Sequence, residues 1–145
     1  MILRLTAAAI AMASTAAAIA AEPGQAVYQR CAACHLSTRA GVPGSFPALT
    51  QEPAKLAQTA PGRRYLVLAI SRGLTGPITS QGKVYRGIMP AQALNDIQVA
   101  DVLNYLAGGA AGGKNPAAFT AAEVKGIRDK AATLSGAQVA QLRPK

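Results

Sequence analysis

Cys31-Ala32-Ala33-Cys34-His35 is the stretch from which this chain is read. These five residues hold both cysteines and the single histidine of the 145-residue sequence. A chain that gathers its thiols and its only imidazole into one short run uses them together. On a helix, a separation of three places both sulfurs on one face. Cys-x-x-Cys-His is the attachment signature of c-type haem: each thiol forms a thioether to a vinyl group, and the adjacent imidazole becomes the proximal iron ligand. A redox-active dithiol usually stands beside a βαβ pattern, and no strand runs suited to one occur here. A structural zinc site takes four ligands, whereas the supply of Cys and His ends at three. A plain disulfide is the remaining structural alternative.

Composition agrees with a bound macrocycle. Half of the residues are hydrophobic, but aromatics make up 4% and there is no tryptophan, so a core built from protein alone would be thin. A buried haem c would supply the missing apolar volume. Upstream of the motif, Arg4 opens a short positive region. An apolar run to about Met12 follows, and Ala18-Ile19-Ala20 fits the small-residue cleavage rule. Residues 1–21 therefore read as a signal peptide removed after Ala20 or Ala21, and the mature chain is expected in the periplasm, an oxidising compartment. Cleavage removes Met1 and Met12 and leaves Met89 as the one methionine, beside one histidine. The formal net charge of +9 falls by one with Arg4. A basic surface favours an acidic partner and steers encounter. The cations are scattered and aromatics are sparse, which argues against nucleic acid.

Taken in order, the mature chain predicts a succession of helices. The first starts near Glu22-Pro23, with Gly24, Val27, Tyr28 and Cys31 on one face. Residues 36–50 form a Gly/Pro-rich loop passing near the haem edge, and 53–59 a short helical turn. Arg63 to Arg72 is a helix closed by Gly73, with Tyr65 packed in the core. Gln81-Gly82 turns a very short hairpin between Ile78 and Tyr85. Met89 lies 54 residues beyond His35 and precedes Pro90, which holds the local backbone extended. A low-spin haem needs a sixth ligand and no second histidine exists, so Met89 is the expected distal ligand. Tyr85 either hydrogen-bonds a propionate or packs; both stay open. Asn95 and Gln98 form a capping box for a last core helix, with Leu94 stapled to Val99. That helix carries Val99, Val102, Leu103 and Leu106 on one stripe and should meet the first helix at Gly24. Gly108 to Gly113 is a flexible linker. Beyond it, Thr120-x-x-Glu123 caps a helix to about Ala132, and Ser135-x-x-Gln138 caps one more turn burying Val139 and Leu142. This tail is either a clamp on the core or a docking arm.

With these residues in view, the chain resembles class I (mitochondrial-type) cytochromes c. The match rests on Cys31–His35, the loop with Pro47, Met89-Pro90 and the closing helix with Tyr105, and it covers about residues 22–108. Gly73-Leu74-x-Gly76-Pro77-Ile78 through Tyr85 and Met89-Pro90-Ala91-Gln92 is similar to cytochrome modules of periplasmic dehydrogenases and copper nitrite reductases. The resemblance implies an all-α, class I cytochrome c fold around one covalent haem, with residues 109–145 as a linker and helical extension. It implies haem contacts from Pro47 and Tyr85, and electron exchange at an exposed haem edge. The absent tryptophan and the tail depart from the usual pattern. The function so implied is a periplasmic electron carrier, not itself an enzyme, partnered by a dehydrogenase or a terminal reductase or oxidase. The rival class is a peroxidase-like haem enzyme or gas sensor with a labile distal ligand.

Overall fold

Helix α1 (Pro23–His35) begins on a proline in its first turn and ends on the histidine of the motif. The computed structural model describes residues 23–108 and 117–145. Along these the order continues with α2 (Glu52–Leu56), α3 (Ala60–Arg72), β1 (Leu74–Ser80), β2 (Lys83–Met89), α4 (Asp96–Gly108), α5 (Ala121–Asp129) and α6 (Gly136–Gln141). The expected signal peptide lies outside the described residues, as does the linker beyond Gly108, the residue that ends α4.

The crossing of α1 on α4 is the contact anticipated at Gly24. A Cβ placed there would lie 2.1 Å from the Asp101 carbonyl oxygen and 2.6 Å from Tyr105 Cβ, so only glycine lets the two backbones approach this closely. Tyr28, one turn further along α1, is 1% exposed and stacks at a tilt on Tyr105, ring centroids 5.5 Å apart. The core is completed by Leu68 and Val67 of α3 and by Val99, Val102 and Leu103 of α4. Each fully buried side chain of this size contributes on the order of 1.5–3 kcal/mol.

Capping explains most of the helix boundaries. Asn95 and Gln98 make the reciprocal box: the Asn95 N–H donates to Gln98 Oε1 at 3.1 Å, and the Gln98 N–H to Asn95 Oδ1 at 2.9 Å. Ser135 and Gln138 repeat it at the start of α6. Helix α3 starts three residues before Arg63, because the Thr59 hydroxyl accepts the Gly62 N–H and Pro61 fits the first turn. Gly73 ends it with φ 75°. Helix α5 stops at Asp129, short of the expected Ala132, and turns through the next residues.

The all-α expectation needs a correction. The fold is largely helical, but β1 and β2 pair antiparallel over seven residues each, from Leu74↔Met89 to Ser80↔Lys83. Gln81 (φ 50°) and Gly82 (φ 74°) are both left-handed, the turn geometry whose twist matches a two-residue hairpin. Gly76, Pro77 and Gly87 hide this longer hairpin in the sequence, because they read as loop punctuation. The strand-forming residues Thr75, Ile78, Thr79, Val84 and Tyr85 nonetheless pair across it.

The tail folds back onto the core, where α5 packs on α3 and α4, and α6 on β1 and α3. Val124 and Val139 are fully buried, and Phe119 is buried beside them. Leu142 is half-buried. Asn104 receives the Phe119 N–H at 2.7 Å and donates to the Phe119 carbonyl at 3.0 Å. Arg72 donates to the carbonyls of Ala132 and Leu134, and Arg128 to Asp96 Oδ1 at 2.7 Å. The capping box at Thr120 is only half formed. The Thr120 hydroxyl accepts the Glu123 N–H, but the Glu123 carboxylate turns to Arg63, taking Nε at 2.7 Å and Nη2 at 2.6 Å. The same guanidinium lies 3.8 Å from the centroid of the Phe119 ring.

Two outcomes test this account. Gly24→Ala should cost about 2–3 kcal/mol in denaturant unfolding of the whole protein, since the new methyl has no room against the Asp101 carbonyl. Glu123→Gln should cost roughly 1–2 kcal/mol at neutral pH, between exposed and buried ion pairs. The hydrogen bond from Arg63 holds the Glu123 carboxyl below its ordinary value of 4.5. Its contribution is therefore complete above that pH and disappears as pH falls through the folded value. Unfolding curves of parent and variant should converge in acid.

Candidate functional site

The last turn of α1 and the loop behind it set the geometry of the motif. Cys31 is half-buried and Cys34 exposed, and both thiols are free. Burial raises the Cys31 pKa, with Arg30 acting in the opposite direction. His35 is 7% exposed, and its Nδ1 lies 2.8 Å from the Pro47 carbonyl oxygen. A carbonyl can only accept, so Nδ1 carries the proton and the Nε2 lone pair is left free. Burial lowers the His35 pKa, the Pro47 bond opposing it, which keeps the ring neutral.

The loop delivers that carbonyl by a chain of local bonds. The Tyr28 hydroxyl donates to Leu36 O at 2.8 Å, fixing the exit from α1, and burial pushes the Tyr28 pKa up to about 12. The Gly41 N–H donates to His35 O at 3.0 Å. Gly41 has φ 65°, and a Cβ there would fall 2.4 Å from Phe46 O. Val42 and Phe46 exchange both backbone bonds at 2.8 Å, and Leu49 N–H closes the loop on Arg39 O. Pro47 follows directly, and its carbonyl oxygen meets the imidazole. Phe46 meets the ring edge-on at 6.4 Å.

Met89 reaches the same place from the other end of the chain. It is the last residue of β2, opposite Leu74, and its carbonyl closes on Gly73 so tightly that a Cβ there would lie 2.4 Å away. Just beyond it, the Gln92 N–H donates to Ile70 O at 2.8 Å and ties the segment to α3. The half-buried thioether is thus held between the first rung of the hairpin and the end of a core helix.

All six expected residues line one cavity of about 340 Å³: Cys31, Cys34, His35, Pro47, Tyr85 and Met89. An adjoining cavity of about 80 Å³, walled by Leu56, Leu66 and Leu103, shares Cys31, His35, Pro47 and Met89 with it. Pro47 has a role the sequence did not show: its carbonyl orients the imidazole. Tyr65 packs in the core as expected, and it lines the smaller cavity together with Glu52 and Arg143, which sequence reading missed. No local pattern announces them, since they meet only through tertiary folding. Among the described residues, no group of three or more His, Cys, Asp or Glu is assembled to hold a metal ion. A neutral imidazole with a free Nε2, two thiols three residues apart and one thioether fit haem c, around a mostly apolar hollow.

The comparisons identify the family of this haem-binding motif. The family profile described as Cytochrome c matches residues 21–110. A cytochrome c-552 of Thermus thermophilus is 40% identical over 120 residues, which is 80% of this chain and 81% of the relative. A second Thermus thermophilus cytochrome c-552 is 40% identical over 114 residues, 76% of this chain and 87% of the relative. The chain therefore belongs to the cytochrome c family: it is a class I monohaem cytochrome c, an electron-transfer protein with covalently bound haem c.

Proposed function

We propose that the chain is an exported single-electron carrier whose iron is held by His35 and Met89, with Cys31 and Cys34 as the thioether anchors. One observation carries this reading: the only histidine and the only methionine beyond residue 12 line the same cavity as both cysteines. Haem c bound there supplies the Fe(II)/Fe(III) couple. The residues around it do the rest. The Pro47 carbonyl fixes the His35 tautomer and ring orientation, which makes Nε2 a preorganised ligand. The backbone ties at Gly73 and Gln92 hold the Met89 thioether in place, so that little rearranges when an electron arrives. Two endogenous ligands also leave substrate no access to the metal. A methionine ligand biases the potential upward, suiting acceptance of electrons from a dehydrogenase.

Charge supports a partner of opposite sign. Of the five acidic residues in the described segments, Glu52, Asp96, Glu123 and Asp129 are already engaged in ion pairs. Exposed Arg30, Lys83 and Arg86 lie on α1 and β2, the elements that bear the site. Ile88, 74% exposed next to Met89, and Phe46, 36% exposed, offer apolar surface at the cavity wall. An acidic periplasmic oxidoreductase, in the first place a dehydrogenase, matches that surface. No helix among the described residues is long and apolar enough to cross a membrane.

Met89→Ala tests the ligand assignment. The haem should stay attached through Cys31 and Cys34, while the ferric spectrum changes to that of an open sixth position and cyanide and CO bind readily. Retention of the parent spectrum would refute the assignment. A parent protein that is high-spin and binds CO rapidly would point instead to the enzyme or gas-sensor class.

A further inference from the structure

The rest of the fold treats the two edges of the hairpin differently. Gln81 and Gly82 make a two-residue turn, so the flanking pair Ser80↔Lys83 exchanges both ladder bonds, and every second pair beyond it does the same. The intervening pairs, Thr79↔Val84, Pro77↔Arg86 and Thr75↔Ile88, turn their backbone groups outward. Pro77, which has no N–H to give, stands in such a pair. On β1 the tail covers the outward edge: Arg143 Nε donates to the Thr79 carbonyl at 2.7 Å, and a Cβ at Gly136 would lie 3.2 Å from Thr75 N. Among the described residues nothing covers the matching edge of β2, where the backbone groups of Val84, Arg86 and Ile88 bond to no other segment.

An uncovered strand edge is a template for another strand. This one runs along the haem site: Tyr85, Gly87 and Met89 line the larger cavity, while Val84, Arg86 and Ile88 are exposed. We propose that the free edge of β2 is a docking site, and that its occupant is an extended acidic segment of the redox partner, added as a third strand. This rests on the electron-carrier reading above and gives it a mode of recognition. Charge selects the occupant. Residues 74–89 carry Lys83 and Arg86 and no carboxylate. A second copy of this chain, paired antiparallel in the register that matches Val84 with Ile88, would set Arg86 against its own equivalent, and like charges directly opposite repel. A strand reading apolar-x-acid-x-apolar instead puts a carboxylate opposite Arg86 and apolar side chains opposite Val84 and Ile88. Backbone bonds then supply affinity, and the alternating side chains supply selectivity. An added strand would lie about 4.8 Å from β2, which brings the partner beside the residue next to Met89.

The test uses the full-length haem-loaded protein and the end-blocked peptide Thr-Val-Thr-Glu-Thr-Val-Thr. Attached haem is verified first, by the mass of the purified chain. A parent without covalent haem overturns the carrier reading and this proposal with it, whereas the peptide results bear on the docking edge alone. Binding is followed by amide NMR of the reduced protein. The peptide should shift the amide signals of Val84, Arg86 and Ile88 and slow their exchange with solvent about tenfold. The same peptide N-methylated at its valines and glutamate cannot bond to the edge and should not bind. Arg86→Glu should weaken the unmodified peptide roughly fivefold. Val84→Pro removes one outward N–H and spares the ladder, as Pro77 does on β1, and should weaken the peptide by about the same factor. Equal binding of the N-methylated peptide, shifts confined to the loop around Phe46, or no binding at all overturns the proposal. So does a parent that dimerises through β2, or an Arg86→Glu protein that does so while the parent ignores the peptide, since the cations then only guard the edge. Should Val84→Pro lose the hairpin, the N-methylated peptide still decides.

Discussion

The contact of Gly24 with the Asp101 carbonyl sets where the Cys31–His35 end of α1 stands. Helix α1 is a lever: at about 1.5 Å per residue, His35 stands roughly 16 Å from Gly24 along its axis. A Cβ at Gly24 would push that end of the helix away from α4, because the distance to Asp101 O would be only 2.1 Å. The far end would swing in response, and with it Cys31, Cys34 and His35. Tyr28 steadies the lever midway, packed on Tyr105 and bonded to Leu36 O. A small residue at one end thus places three functional residues at the other.

The parts legible in the sequence were those written locally. The Cys-x-x-Cys-His run, the Asn95–Gln98 and Ser135–Gln138 boxes, and the glycine at 73 all act within a few residues of where they stand. Gly24 could be read because its absent side chain coincides with an apolar stripe. Other features depend on partners far along the chain, and these stayed hidden. Thr120-x-x-Glu123 has the spelling of a capping box, yet Arg63, sixty residues away, takes the carboxylate. Arg143 and Glu52 are ninety-one residues apart. The hairpin reads shorter in the sequence than in the fold because glycine and proline carry two meanings. In a loop they punctuate; in a two-stranded ribbon Gly76 and Pro77 pair with Gly87 and Arg86 as ordinary rungs.

Electrostatics follows the same division between inside and outside. The chain has 15 basic and 6 acidic residues. Arg63, Arg128 and Arg143 each join a core element to the tail by an ion pair, which consumes Glu123, Asp96 and Glu52. Arginine suits such sites, since its fork can grip a carboxylate and backbone carbonyls together. Among the described residues the acids are therefore largely spent on holding the fold, while Arg30, Arg64, Lys83 and Arg86 stay exposed. A sequence-wide excess of positive charge becomes, through these pairings, a surface-wide one.

The tail is more than a cover, because the methionine depends on it through the hairpin. A two-stranded ribbon alone is marginal in water. Here α6 lies against β1: Gly136 stands so close that an added Cβ would be 3.1 Å from Thr75 Oγ1, and Arg143 bonds the Thr79 carbonyl. Strand β1 then holds β2 in register, and the rung at Leu74↔Met89 sets the depth of the thioether. At that rung Gly73 makes room for the Met89 carbonyl where no side chain would fit. The line from α6 to β1, to β2 and to Met89 is continuous contact throughout. Loosening the last helix should therefore reach Met89 sooner than His35, which is secured by α1 and by the loop that carries Pro47.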